Sequence, residues 1–169
     1  EAKKLLRRFI RDKLARYADD RNDPSLDIQS HMSPYLHFGQ ISPVWIALQV
    51  RKADAPAEAK AAYLEELVVR RELAVNFVYY CEGYDRYETA VPHWARRSLA
   101  AHARDKRPVQ YTRDELAHAR TYDPWWNAAQ KEMLATGKMH NYMRMYWGKK
   151  IIEWSPSPQA AFETMIAMK

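Results

Sequence analysis

His140, Arg144, Trp147, Ile151 and Trp154 recur at spacings of four, three, four and three residues, the return interval of one helix face. One stripe of such a helix offers a titratable ring, a guanidinium and two indoles. Trp147 and Trp154 are seven apart, hence about 10 Å along a helix axis, a separation that suits electron hopping between oxidisable rings better than direct contact. On periodicity alone the commoner use of this stripe is packing, because tryptophan carries a large apolar area into a core. Met145 falls on a neighbouring face, where a methionine ordinarily fills gaps. Lys149 and Lys150 follow, a pair that is usually solvated surface and otherwise contacts a phosphate backbone.

A second group lies in 27–39, where Ser30, Ser33 and Pro34 mark a helix start. The spacing predicts Ser33 as N-cap and Pro34 as the first helical residue. A helix start gathers unpaired N–H groups and the positive end of the dipole, so hydroxyls there can hold an anion, phosphate being one natural guest. Taken alone, Ser-Pro at this place is mostly structural. A third group is Glu66 with Arg70, an i, i+4 pair whose plain reading is a solvated salt bridge worth roughly a few tenths of a kcal/mol.

Helices must hold these residues, and the patterning predicts them. A helix over 2–17 presents Leu5, Leu6, Phe9, Ile10, Leu14 and Tyr17 on one apolar face. Ser42-Pro43 repeats the Ser33-Pro34 device. The stretch 58–80 reads as one long helix, with Leu64, Leu67, Val68, Val75 and Val78 facing a core and Glu66, Arg70, Arg71 and Glu72 as polar neighbours. Residues 83–107 fit no single pattern. Thr112-Arg113-Asp114-Glu115 matches a capping box, and Asp123-Pro124 opens a helix that carries Trp125, Trp126, Asn127 and Gln130 and ends near Thr136. Gly137 suits a left-handed cap, and a last helix runs over 139–154.

Composition bounds the rest. With 169 residues, 47% hydrophobic and 28% charged, the chain is long enough for one globular domain with a sizeable core. Four glycines and few alternating runs argue against sheet, while abundant Ala, Leu, Arg, Lys, Glu and Met favour helix, so the fold is read as all-α. A formal charge of +6 and a pI near 9.4 favour polyanionic partners. Cys81 is the single cysteine, which excludes an intrachain disulfide or an all-cysteine metal site and fits a reducing compartment; no metal is expected. Without an apolar stretch of membrane-spanning length or a signal-peptide core, the protein is expected to be soluble and intracellular.

The run from Gly137 through Lys138, Met139, His140, Met143, Arg144, Met145, Tyr146, Trp147, Lys149, Lys150, Ile151 and Glu153 to Trp154 resembles the signature helix of the photolyase and cryptochrome family. It resembles class II cyclobutane pyrimidine dimer photolyases in particular, although Asn141 stands where those usually carry glycine. Ser30-His31-Met32-Ser33-Pro34-Tyr35-Leu36, with Tyr17 and Arg21 upstream, is similar to the family segment around the FAD diphosphate. Glu66-Leu67-Val68-Val69-Arg70-Arg71-Glu72-Leu73 resembles the family helix that supplies a glutamate to damaged bases and an arginine to the cofactor region. The resemblance implies flavin contacts at Tyr17, Arg21, Ser30, Met32, Ser33, Arg70 and Arg144, although spacing does not separate Arg70 from Arg71. It implies lesion contacts at Glu66 and Met145, and beside them Lys149 and Lys150 are candidates for DNA-backbone contacts. A carboxylate can accept hydrogen bonds from pyrimidine N–H groups, and a fixed guanidinium would stabilise a reduced flavin. The same resemblance implies that Trp126, in Trp126-Asn127-Ala128-Ala129-Gln130, joins Trp147 and Trp154 in a photoreduction chain, with Trp147 nearest the flavin, Trp126 between and Trp154 at the surface. Trp125 is read as packing.

By that resemblance, 1–169 is a single helical domain, the N-terminal part of a photolyase FAD-binding domain. The chain has no room for the family's α/β antenna domain and stops before its last helices, so the antenna pigment stays open. The implied activity is light-driven repair of cyclobutane pyrimidine dimers by electron transfer from reduced FAD, on dimers flipped out of double-stranded DNA. A monomer is expected, away from membranes, in the cytoplasm of a bacterial or archaeal cell or in a eukaryotic nucleus. Two alternatives remain: a cryptochrome-like flavin photoreceptor without repair, and a cofactor-free helical nucleic-acid-binding fragment.

Overall fold

Helix follows helix along the chain, and among the residues described, 1–168 of a computed structural model, none lies in a strand. Two compact units result, Glu1–Tyr79 and Tyr80–Lys169, each with its own buried apolar cluster. No described helix is long and apolar enough to cross a membrane.

In the first unit, α1 (Ala2–Asp12) buries Leu6 and Phe9. The helix expected over 2–17 breaks at Lys13, whose φ of −128° leaves the helical region; Lys13 Nζ reaches across to Asp27 at 2.8 Å. A 3₁₀ turn (Leu14–Arg16) and α2 (Tyr17–Asp20) follow, and the apolar face survives the break, with Leu14 and Tyr17 buried. α3 (Ser33–His37) begins one residue earlier than predicted: Met32 is its cap, and Ser33 sits inside the helix without a side-chain cap bond. The reason is that Ser30 Oγ, three residues upstream, accepts the Met32 N–H at 3.4 Å while the Met32 side chain is locked in the core. α4 (Pro43–Lys52) is capped as predicted, Ser42 Oγ accepting the Trp45 N–H at 3.3 Å.

The helical run expected over 58–80 is α5 (Ala57–Leu64), a π-helical turn (Glu65–Arg70) and α6 (Arg71–Tyr80). A π turn places one extra residue in the coil, rotating every later position relative to a 3.6 repeat. Leu67 is buried as expected, but Val68, Val75 and Val78 are 46%, 47% and 50% exposed, and α6 has no buried residue. Those three valines are therefore not core.

The second unit resolves 83–107 into α7 (Tyr87–Ala90) and α8 (His93–Ala101). α9 (Arg113–Ala117) has both halves of the capping box: Thr112 Oγ1 accepts the Glu115 N–H at 3.3 Å, and Glu115 Oε2 accepts the Thr112 N–H at 2.8 Å. α10 (Pro124–Thr136) starts under the Asp123 carboxylate and ends at Gly137, φ +70°. α11 (Asn141–Trp154) begins two residues later than predicted, because His140 Nδ1 accepts the Tyr142 N–H at 3.2 Å and makes His140 the cap. α12 (Pro158–Ala167) is capped by Ser157. Leu116, Trp126, Ala129, Met139, Trp147, Ile151, Trp154 and Ala161 form the buried centre.

Candidate functional site

The candidate residues divide between the units. In the second, Trp126, Ala129 and Gln130 share one face of α10, and Trp147, Ile151 and Trp154 share one face of α11. Their interlock makes a contiguous stack of three indoles. Trp147 and Trp126 lie parallel, with centroids 6.3 Å apart and planes at 3°; Trp126 meets Trp154 edge-on at 5.5 Å. Trp126 therefore bridges two rings that are a heptad apart on one helix. Two of the N–H groups are satisfied internally: Trp126 Nε1 donates to the Trp147 carbonyl at 3.1 Å, and Trp147 Nε1 donates to Gln130 Oε1 at 2.8 Å. Trp154 Nε1 is buried with no partner among the described residues. A stack of oxidisable rings in van der Waals contact, screened from water, can pass an electron from one end to the other.

The expected surface position of Trp154 is corrected by the structure: it is 1% exposed. Tyr111 and Tyr122 close over it edge-on at 5.2 and 5.7 Å, and Lys150 Nζ lies 5.5 Å from its ring. Tyr122, 60% exposed, is the solvent-facing ring of this cluster. Trp125, expected to pack, is 74% exposed, because the buried side of α10 is the Trp126, Ala129, Gln130 side. The predicted stripe on α11 also divides. Trp147, Ile151 and Trp154 are buried and His140 is buried at the cap, whereas Arg144 is exposed and Met145 is 53% exposed. The lysine pair splits likewise: Lys149 is exposed, while Lys150 binds Glu153 at 2.9 Å, which raises its pKa.

Asp123 anchors the start of α10 beneath the stack. Its Oδ1 accepts the N–H groups of Trp125 and Trp126 at 3.0 Å, and its Oδ2 accepts the Tyr146 hydroxyl. Burial pushes this carboxyl up, but the Tyr146 and backbone hydrogen bonds outweigh it and hold the pKa below the ordinary value. The same bond raises the Tyr146 phenol.

In the first unit, Tyr17 packs edge-on against Phe9 at 5.7 Å and Tyr63 at 5.3 Å. Arg21 lies over the Tyr17 ring at 5.8 Å and pairs with Glu66, Nη1 to Oε1, at 2.6 Å. Burial pushes the Tyr63 phenol up to about 12, against a hydrogen bond from Ser30 that pulls it down; burial and then the Glu66 charge raise Tyr17. The Glu66–Arg70 pair predicted from spacing does not form. Arg70 Nε pairs with Glu65 at 3.3 Å instead, an i, i+5 contact, which is the spacing that shares a face in a π turn. Gln29 Nε2 donates to the Arg21 carbonyl at 2.8 Å, tying the serine turn to the end of α2. Ser30 is thereby brought beside Tyr63 and the Tyr17–Arg21–Glu66 group, Met32 is buried in the same core, and Ser33 is exposed. A guanidinium and a serine hydroxyl are both groups that can hold a phosphate.

Several residues here carry roles that sequence reasoning missed. Gln130 was visible as the i+4 neighbour of Trp126. Tyr146, which binds Asp123 across 23 residues, and Tyr111 and Tyr122, which cover Trp154, carry no local signal. No metal-binding cluster of His, Cys, Asp or Glu occurs among the described residues.

No protein-family model matches the chain. It is 52% identical over 155 residues to a deoxyribodipyrimidine photo-lyase of Methanothermobacter thermautotrophicus, covering 92% of this chain and 34% of that protein. The photo-lyase of Oryza sativa subsp. japonica is 50% identical (94% of this chain, 31% of that one), and that of Potorous tridactylus 45% identical (96% and 30%). The chain thus spans about a third of the length of the curated relatives it matches. Among solved structures, a class III photolyase from Agrobacterium tumefaciens superposes with a TM-score of 0.71 over 98% of this chain and 37% of that one, at 19% identity, which establishes a shared helical fold. With about half of its residues identical to those relatives over nine-tenths of its length, and with that fold, the chain belongs to the photolyase family.

Proposed function

We propose that both units are part of the FAD-binding domain of a class II-like DNA photolyase, and that the whole enzyme reverses cyclobutane pyrimidine dimers in double-stranded DNA under light. The observation that carries this reading is the buried stack of Trp147, Trp126 and Trp154 in a chain 52% identical to a protein named deoxyribodipyrimidine photo-lyase. The residues present fit FAD. Arg21 supplies a cation, the turn tied to it through Gln29 carries the Ser30 hydroxyl, and Ser33 is exposed in the first turn of α3, donors of the kind a diphosphate takes. Tyr17, Arg21, Ser30, Met32, Ser33, Arg70 and Arg144 would hold the cofactor.

Bound FAD supplies the light-driven redox chemistry. The chain's own groups do the rest. Trp147, Trp126 and Trp154 relay an electron inward, Gln130 and the Trp147 carbonyl fix the planes of the first two through their indole N–H groups, and Tyr111 and Tyr122 keep water off the third. Glu66, released from Arg21, accepts hydrogen bonds from the N–H groups of the flipped bases. Met145 packs against the lesion, and Lys149 and Lys150 meet the flanking phosphates. The partner is damaged duplex DNA, bound by a monomer in the cytoplasm or nucleus.

The test is dimer reversal in a thymine-dimer oligonucleotide by chemically reduced, FAD-loaded protein under blue light, with flavin absorbance followed in parallel. Trp147→Phe should abolish light-driven reduction of oxidised flavin and leave repair by pre-reduced protein intact. Flavin photoreduction without dimer loss would favour a receptor, and protein that stays colourless with added FAD would overturn the reading.

A further inference from the structure

We propose that α8 and the segment after it form a docking surface for the DNA backbone, with Trp94 packed on a deoxyribose and Arg97, Arg104 and Lys106 on successive phosphates. The partner's identity rests on the photolyase reading; the surface stands on its own geometry. Residues 93–107 hold five lysines and arginines against one acid, Asp105. That acid is already engaged with His102 Nδ1 at 2.9 Å. Arg97, Arg104 and Lys106 are exposed, and none has a carboxylate at ion-pair distance among the described residues. Their charge is left for a partner that brings its own anions.

Trp94 is 75% exposed and lies three residues before Arg97 on the same helix. Ring and guanidinium flank an open recess of about 470 Å³, closed by Ser98 and Ala101. An indole left in water beside a cation gains nothing for the fold, whereas a sugar-phosphate strand offers it an apolar ring and offers the cation an oxygen. The segment is also held in place. Arg107 Nη1 donates to the carbonyls of Ile152 and Glu153 at 2.6 and 3.1 Å, pinning its end to the last turn of α11. Ordering it on DNA therefore costs little chain entropy.

The experiment uses the intact chain and a labelled undamaged duplex, with affinity measured by anisotropy between about 50 and 200 mM salt. Replacing Arg97, Arg104 and Lys106 together by Gln should lower the slope of log affinity against log salt by two to three, at about 0.9 per phosphate contact. Trp94→Ala should weaken binding roughly fivefold or more with the slope unchanged, because it removes contact and no charge. Replacing the exposed Lys4, Arg7 and Arg8 of α1 by Gln removes equal charge elsewhere and should leave the slope alone. A parent chain that binds no duplex, an α8 variant with the parental slope, or an α1 variant with an equal loss would each overturn the proposal. None of these readouts needs FAD or a lesion, so failure of dimer reversal alongside the expected slopes would count against the proposed activity and leave this surface standing.

Discussion

Gln130→Met isolates the one side chain that orients the central pair of indoles. Gln130 is 1% exposed; its Oε1 accepts Trp147 Nε1–H at 2.8 Å and its Nε2 donates to the Ala117 carbonyl at 3.3 Å. Methionine keeps the length and volume and makes neither bond, so the cost is electrostatic with little cavity term. Stranding the buried Trp147 N–H costs about 1–3 kcal/mol, and the longer bond to Ala117 about 0.5–1 kcal/mol more. Some of this is offset by the gain from burying a thioether in place of an amide, leaving a loss of about 2–3 kcal/mol. Urea unfolding followed by tryptophan fluorescence reads the relevant unit, because Trp94, Trp125, Trp126, Trp147 and Trp154 all lie in it and only Trp45 lies outside. The decisive measurement is the cycle with Trp147→Phe, which removes the donor. In that background Gln130→Met should cost about 1 kcal/mol less or better. A single-variant loss under about 0.5 kcal/mol, or strict additivity in the cycle, would refute the claim that this hydrogen bond sets the ring.

Asp123→Asn keeps a capping side chain at the start of α10 but removes a carboxyl whose pKa is held down in the fold. Such a group contributes its full stability above its unfolded pKa and loses it as pH falls through the lower folded value, so the variant should show a flatter decline in urea midpoint below about pH 4; parallel pH profiles would contradict this. Gly137→Ala forces a Cβ onto a residue at φ +70° with open space around it, so thermal melts should register about 1 kcal/mol of backbone strain and no clash. Glu66→Gln should cost about 1 kcal/mol at low salt through loss of the Arg21 pair, which is only partly buried, and the difference should shrink toward zero near about 1 M salt, where the Debye length is roughly 3 Å.

Many features decided within four residues of chain are legible in the amino-acid sequence, although the caps at Met32 and His140 are not. Ser42, Thr112, Asp123 and Gly137 punctuate helices where their chemistry says they should, since a cap is a contract between a side chain and the nearest free N–H or C=O. Trp126 is legible too, for it continues into Ala129, Gln130 and Met133 at helical spacing, whereas Trp125, read as packing, lies on the exposed side. The site contacts that stay hidden have one of two causes. Tyr111, Tyr122 and Tyr146 act across 43, 32 and 23 residues, and no local pattern reports a contact of that kind. The π turn is the other cause: Glu65–Arg70 reads as ordinary helix, yet one added residue per turn moves Arg70 onto Glu65 and frees Glu66 for Arg21. Local spacing thus misassigns the partner of the very glutamate that the family resemblance marks for chemistry. A regular helix would have tied that carboxylate to its own i+4 arginine on a solvated face. The irregular turn instead hands it to an arginine that also covers Tyr17, and π turns accumulate where such re-aiming is useful. The failure of the simple rule at Glu66 is therefore itself an argument for where to look, since sequences break local consistency mainly where function requires it.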